Sequence, residues 1–153
     1  MNSRAPTTTP IVLFTPPTIA ITNDVIVASF LAREGFEPII IGGKVQAGLG
    51  CVHGYTAVQQ LTDMRINAAF VSGLTIDGEY DLFAATENKV FFRRTLLEHA
   101  DKAYLLMDSS KFYKPSVFRI HSISEYTAVI TDQTLSAEER QAVLHKGIEW
   151  VNP

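Results

Sequence analysis

An apolar run from Ala103 to Met107 stops at Asp108, and Ser109, Ser110, Lys111 and Phe112 follow. A carboxylate, two hydroxyls and an ammonium in so short a stretch are what a polar or phosphorylated small molecule needs. In an open parallel sheet such residues stand where ligands bind, just beyond the carboxyl ends of the strands. They read equally as a capped helical turn, with Asp108 as N-cap and Lys111 in water. Other apolar runs stop in similar chemistry: Asn23-Asp24, Gly42-Gly43, Ser72-Gly73 and Asp132. Turns favour these residue types everywhere, so each stop is a weak signal alone. Parallel strands would gather the five stops along one edge, and together they outline a binding edge.

A second signal is cationic. On a helix spanning Glu87 to Ala100, Val90 and Leu97 share one face, and Arg93 falls between them on it. Lys89 precedes Arg93 by four residues on the same side, where like charges repel. A cation on an apolar stripe is costly unless paired. A bound anion resolves both problems. Snorkelling to water, or a protein carboxylate, resolves them too.

Other chemistry finds little support. The four histidines, His53, His99, His121 and His145, have no metal-ligand spacing. His53 lies in a glycine-rich loop, where it could face a ligand but reads first as structural. No nucleophile elbow, phosphate-binding P-loop or dinucleotide fingerprint is present. The single cysteine, Cys51, rules out an internal disulfide framework and reads as a small buried residue. No catalytic residue, metal ligand or cofactor is expected.

These groups need elements to position them. With 153 residues, 46% of them hydrophobic and 19% charged, the chain suits one globular domain. Residues 1–75 carry four Lys/Arg and four Asp/Glu, and residues 76–153 carry nine and twelve. Neither half is basic, which argues against a nucleic-acid surface on this chain. The apolar runs fall far short of the roughly 18 residues of a membrane span. The amino terminus lacks a signal-peptide layout, and a soluble cytoplasmic domain is expected.

The pattern alternates short strands with helices, which predicts an α/β domain with a mostly parallel sheet flanked by helices. Residues 1–17 form an irregular segment, either a mobile terminus or a threonine-rich anion loop. Residues 18–153 form the domain proper. Strands are predicted at 18–22, 37–41, 68–72, 103–107, 117–121, 127–131 and 148–151. The helix VIVASFLARE is apolar on most faces and is expected to pack deep, with Gly35 ending it. A further helix is expected over 55–64. Residues 74–86 read as a loop, able to order over a ligand, with Asp77-Gly78 as a turn. Ser136 and Glu139 make a capping box for a last helix, which Gly147 ends.

Seven stretches in order, TIAITND, EPIIIGG, CVHG, NAAFVSGLTID, VFFRRTLLEHA, KAYLLMDSSKF and YTAVITD, resemble the C-terminal sensor domain of DeoR-type bacterial transcriptional repressors. The resemblance implies a fold like that of ribose-5-phosphate isomerases and CoA transferases. It implies a non-enzymatic domain that binds a phosphorylated sugar or similar metabolite and works within a homo-oligomer, a dimer or tetramer. DNA would be bound by a separate N-terminal winged helix-turn-helix that this chain lacks. The family's threonine loop falls on Thr7, Thr8 and Thr9, its asparagine on Asn23, and its glycines on Gly42, Gly43 and Gly54. Its helix lysine falls on Arg93, and its last site elements fall on Asp108 and Lys111. Ala5-Pro6 replace the loop's small residue and glycine, Ser72-Gly73-Leu74-Thr75 replace G-A-D-G, and Asn88-Lys89 replace an acidic pair. With Lys89 and Arg93 the expected pocket is more cationic than the family pattern.

Two rival readings remain. One is a sugar-phosphate isomerase, with Asp108 or Asp77 as general base. The other is a pure oligomerisation module.

Overall fold

The computed structural model describes residues 19–153 apart from Pro115. The expectations for residues 1–17, including Thr7, Thr8 and Thr9, lie outside the described residues.

The first unit is small. Strand β1 (Ile21–Thr22) runs into helix α1 (Val25–Arg33), and Asp24 caps that helix by accepting the Ile26 and Val27 N–H groups at 2.7 and 3.1 Å. Gly35, at φ +87°, turns the chain towards β2 (Ile39–Ile40), which pairs parallel with β1. Helix α1 was expected to pack deep, yet none of its residues is buried, and Ile26 and Phe30 are 64% and 47% exposed. Its partners are β1 and β2, a surface too narrow to cover an all-round apolar helix. For the same reason Ile39 and Ile40 stay exposed, and burial passes to Ile41 just beyond them.

Helix α2 (Tyr55–Thr62) follows, then β3 (Ala69–Val71). Residues 74–86, expected as a loop, instead hold a hairpin of β4 (Thr75–Ile76) and β5 (Asp81–Ala84). The Asp77-Gly78 turn is there, but its flanks are core, with Ile76 and Leu82 fully buried. The segment is thus no mobile cover. Alternate burial along β5 is the period-2 pattern of a half-buried strand. Helix α3 (Glu87–Glu98) leads to β6 (Ala103–Leu106), and β7 (Phe118–Ser122) returns to pair antiparallel with β5. The chain closes with β8 (Ala128–Ile130), α4 (Ala137–His145) and β9 (Trp150–Val151). The Ser136–Glu139 capping box forms as expected, and Gly147 takes φ +68° after α4.

The architecture is mixed α/β. A parallel sheet in the order β3-β6-β8-β9 is its centre, with the β1-β2 pair and the β4-β5-β7 sheet beside it. One apolar cluster gathers Val71, Leu82, Leu105, Ile120 and Val129 from the two larger sheets. A second joins Ile41, Val52, Ala57, Leu61 and Phe92 beneath the β1-β2 pair. Helix α3 serves both, through Val90 in the first and Phe92 in the second. It therefore fixes the site's cations relative to both sets of strand ends. Among the described residues, no helix is long and apolar enough to cross a membrane.

Candidate functional site at the ends of β1 and β2

Among the described residues, the parallel strands pair in two separate sheets, so the five expected strand stops fall into two groups.

The first group surrounds His53. Asn23, just past β1, donates from Nδ2 to the Val52 carbonyl at 2.8 Å and lies 3.3 Å from His53 Nε2. The His53 ring stands edge-on to Phe92, with centroids 5.4 Å apart. Beside it opens a cleft of about 320 Å³, lined by Lys44, Gln46, His53, Thr86 and Asn88 among others. Lys89 and Arg93 add positive charge from α3. Burial, reinforced by those two cations, pushes the His53 pKa down to about 4. The imidazole is therefore neutral at physiological pH.

Arg93 is one of three groups around the site with a buried, unpartnered polar atom. Its Nη1 is sealed from solvent and has no hydrogen-bond partner. Burial holds its pKa below the ordinary arginine value, while Tyr126 and Cys51 act weakly the other way. Neither is a carboxylate. Tyr126 is itself pushed up to about 12 by burial, and its hydroxyl is also sealed and unpartnered. The nearby carboxylate of Asp24 is engaged elsewhere: Oδ1 caps α1 and Oδ2 accepts from Cys51 Sγ at 3.3 Å. Burial, and after it that contact, lift the Cys51 thiol to about 11, so it is no nucleophile. Among the described residues no carboxylate forms an ion pair with this half-buried guanidinium, and a cation so placed is costly.

Gly42 and Gly43 act structurally. The Gln60 side-chain amide brackets Gly42, accepting its N–H and donating to its carbonyl, both at 3.0 Å. At Gly43, φ is +142° and a Cβ would lie 2.9 Å from Val52 Cγ1. The two glycines thus seat the β2 end against α2 and Val52.

The second group lies at the ends of β3, β6 and β8. Gly73 N–H meets Met107 Sδ at 2.9 Å, and a Cβ there would strike Leu82. Asp108 caps the 3-10 turn Ser109–Lys111, accepting the Ser110 N–H at 3.0 Å and the Ser110 hydroxyl. The Ser110 hydroxyl, foremost, holds the Asp108 carboxyl below its ordinary pKa. Asp132 accepts the Ser109 N–H at 2.6 Å and its hydroxyl at 3.3 Å. Most of this edge is thus satisfied internally. Lys111 enters no ion pair among the described residues. Asp77, the other candidate base, spends Oδ1 on the Glu79 and Asp81 N–H groups of its own turn.

Gln60 and Tyr126 were not foreseen as part of a site, and His53 only as a loop residue able to face a ligand. For His53 the signal was its glycine-rich loop; its place beside Asn88 and Lys89, 35 and 36 residues further along the chain, comes only from the fold. Nothing in the sequence marks Tyr126.

A mixed α/β domain with polar residues and cations beside the ends of its parallel strands has the layout of a ligand-binding domain. The chain belongs to the DeoR C terminal sensor domain family, whose profile matches residues 13–133. It is similar to the L-fucose operon activator of Haemophilus influenzae, 26% identical over 78% of this chain and 48% of that protein. It is similar to the glycerol-3-phosphate regulon repressor of Escherichia coli K12, 27% identical over 73% and 45%. The regulator GlpR of Haloferax volcanii is 26% identical over 88% and 52%. The chain spans about half the length of these relatives. All three are named as transcriptional regulators, and the domain is a regulatory one, not an enzyme.

Proposed function

We propose that this domain senses a phosphorylated sugar or a similar anionic metabolite and passes its occupancy to a DNA-binding domain. The observation that carries the reading is Arg93: a sealed guanidinium nitrogen with no partner, on the helix that braces both apolar clusters. The ligand's phosphate would take charge-assisted hydrogen bonds from Arg93 and Lys89, and Asn23 and the His53 cleft would receive its polar body. The extension to Thr7, Thr8, Thr9, Asp108 and Lys111 rests on their resemblance to the family pattern. Gly42 and Gly43 shape the wall. Glycerol-3-phosphate, after which the regulon of one relative's repressor is named, is a phosphate ester of this class.

In the regulator, residues 18–153 would be the sensor, a winged helix-turn-helix would bind the operator, and the assembly would be a cytoplasmic homo-oligomer. A differential affinity of about 1–3 kcal/mol between two states is enough to couple ligand to operator.

Titration calorimetry with a panel of sugar phosphates tests this. Binding by at least one, lost in Arg93→Met, supports the reading. A folded domain that binds none at millimolar concentration overturns it.

A further inference from the structure

The contacts of Asn23 fix more than its own position. Its amide nitrogen carries two hydrogens and no lone pair to offer. One hydrogen goes to the Val52 carbonyl, which settles which way the amide faces. The other points towards His53 Nε2, so Nε2 must be the accepting nitrogen. The imidazole proton then resides on Nδ1. That Nδ1 is sealed and has no partner, like Arg93 Nη1. Lys89 and Arg93 are close enough to act on the ring electrostatically, and both disfavour a second proton on it. Among the described residues the other faces supply no base: the Phe92 ring stands nearly perpendicular to the imidazole, and Lys44, Thr86 and Asn88 line the cleft.

We propose that Asn23 is a tautomer clamp, and that His53 is a specificity residue that donates from a neutral Nδ1–H to an acceptor oxygen of the ligand. The inference rests on the anion-site reading above and deepens it. An acceptor oxygen within reach of His53 Nδ1 and Arg93 Nη1 would give both orphan donors a partner. A neutral donor beside two cations selects an oxyanion with several acceptor oxygens, as in a phosphate ester. It also keeps the His53 contribution independent of pH over the neutral range, where a titrating imidazole would make recognition weaken as pH rises.

The test uses the full chain and sulfate, an anion that stays fully ionised across this range. Long-range ¹H–¹⁵N spectra at pH 7 are expected to show His53 as the Nδ1–H tautomer, and sulfate is expected to shift that nitrogen without protonating the ring. Asn23→Ala is expected to release the clamp and give a mixed tautomer pattern. His53→Asn places an amide N–H near the Nδ1 position, and His53→Gln places one near Nε2. Sulfate affinity should stay within about threefold in His53→Asn and fall roughly tenfold in His53→Gln, the scale of one hydrogen bond. An Nε2–H tautomer, an imidazolium at pH 7, or equal affinities in the two variants would overturn the inference while leaving the anion site standing. No sulfate binding by the wild type, with the tautomer as expected, would overturn the role of His53 together with the anion site itself.

Discussion

Replacing Arg93 by methionine should make the free domain more stable and less responsive. Methionine keeps much of the arginine stem's volume and contributes no charge, so it can pack beside Phe92 and Val90 without a desolvated guanidinium. A buried donor left without a partner costs about 1–3 kcal/mol, more when charged. Exchanging buried ionic groups for apolar residues of similar volume has stabilised proteins by roughly 1–4 kcal/mol. Arg93 is not fully enclosed, and some of its stem packing is kept by methionine, so a gain of about 1–2 kcal/mol is expected. For a domain of this size that raises Tm by roughly 2–8 °C. In the wild type, sulfate or a sugar phosphate should raise Tm with concentration by mass action. In Arg93→Met that response should vanish while the starting Tm is higher. Differential scanning calorimetry with and without sulfate reads both quantities at once. A variant that melts lower than wild type, or that still climbs with sulfate, would refute the reasoning that Arg93 is an unpaired cation kept for a ligand.

Other outcomes follow from the same geometry. Gly43→Ala should destabilise the domain by about 1–3 kcal/mol in urea unfolding, because φ is +142° and the new methyl lies 2.9 Å from Val52. Gly73→Ala should cost at least as much, since its Cβ would sit 2.2 Å from Leu82 Cδ1 in the main core. His53 titrates at about 4 in the fold against 6.5 when unfolded, so the unfolded chain takes up the proton first on acidification. The stability this gives is full above about pH 6.5 and is lost as pH falls towards 4; His53→Asn should flatten that part of a stability–pH curve. His121 is lowered in the same direction, chiefly by burial, and will leave a residual slope. Lys111→Ala should weaken sugar-phosphate binding roughly tenfold if the second edge belongs to the site; unchanged affinity in calorimetry would remove that edge from it.

Much of the fold was legible because local signals agreed. Asp24, Gly35, Gly147 and the Ser136–Glu139 box mark helix ends through local hydrogen bonds and backbone freedom, and each does so in the structure. Runs such as Ala103 to Leu106 and Ala128 to Ile130 are apolar on consecutive residues, as central parallel strands must be. Burial of α1 and β2 was misjudged because apolarity says what a segment tolerates, not how much surface is there to cover it. The β4-β5 hairpin was missed because glycine, aspartate and a tyrosine at φ 64° mask a short period-2 pattern. In the site, Lys89 and Arg93 were visible from helical spacing alone. Tyr126 and Gln60 were not, and His53 only in part, since their places depend on which loop the fold brings against α3. Gly42 and Gly43 show the converse: their type was informative, but the reason is packing against Gln60 and Val52.

The most direct test is to locate an anion. Crystals of the chain soaked in selenate would show a bound ion through its anomalous signal. The peak is expected within hydrogen-bonding distance of Arg93 Nη1 and His53 Nδ1, at the ends of β1 and β2. A peak at the Asp108–Lys111 turn alone, or well-ordered crystals with no peak in either place, would contradict the claim that this domain is built around an anion held by Arg93.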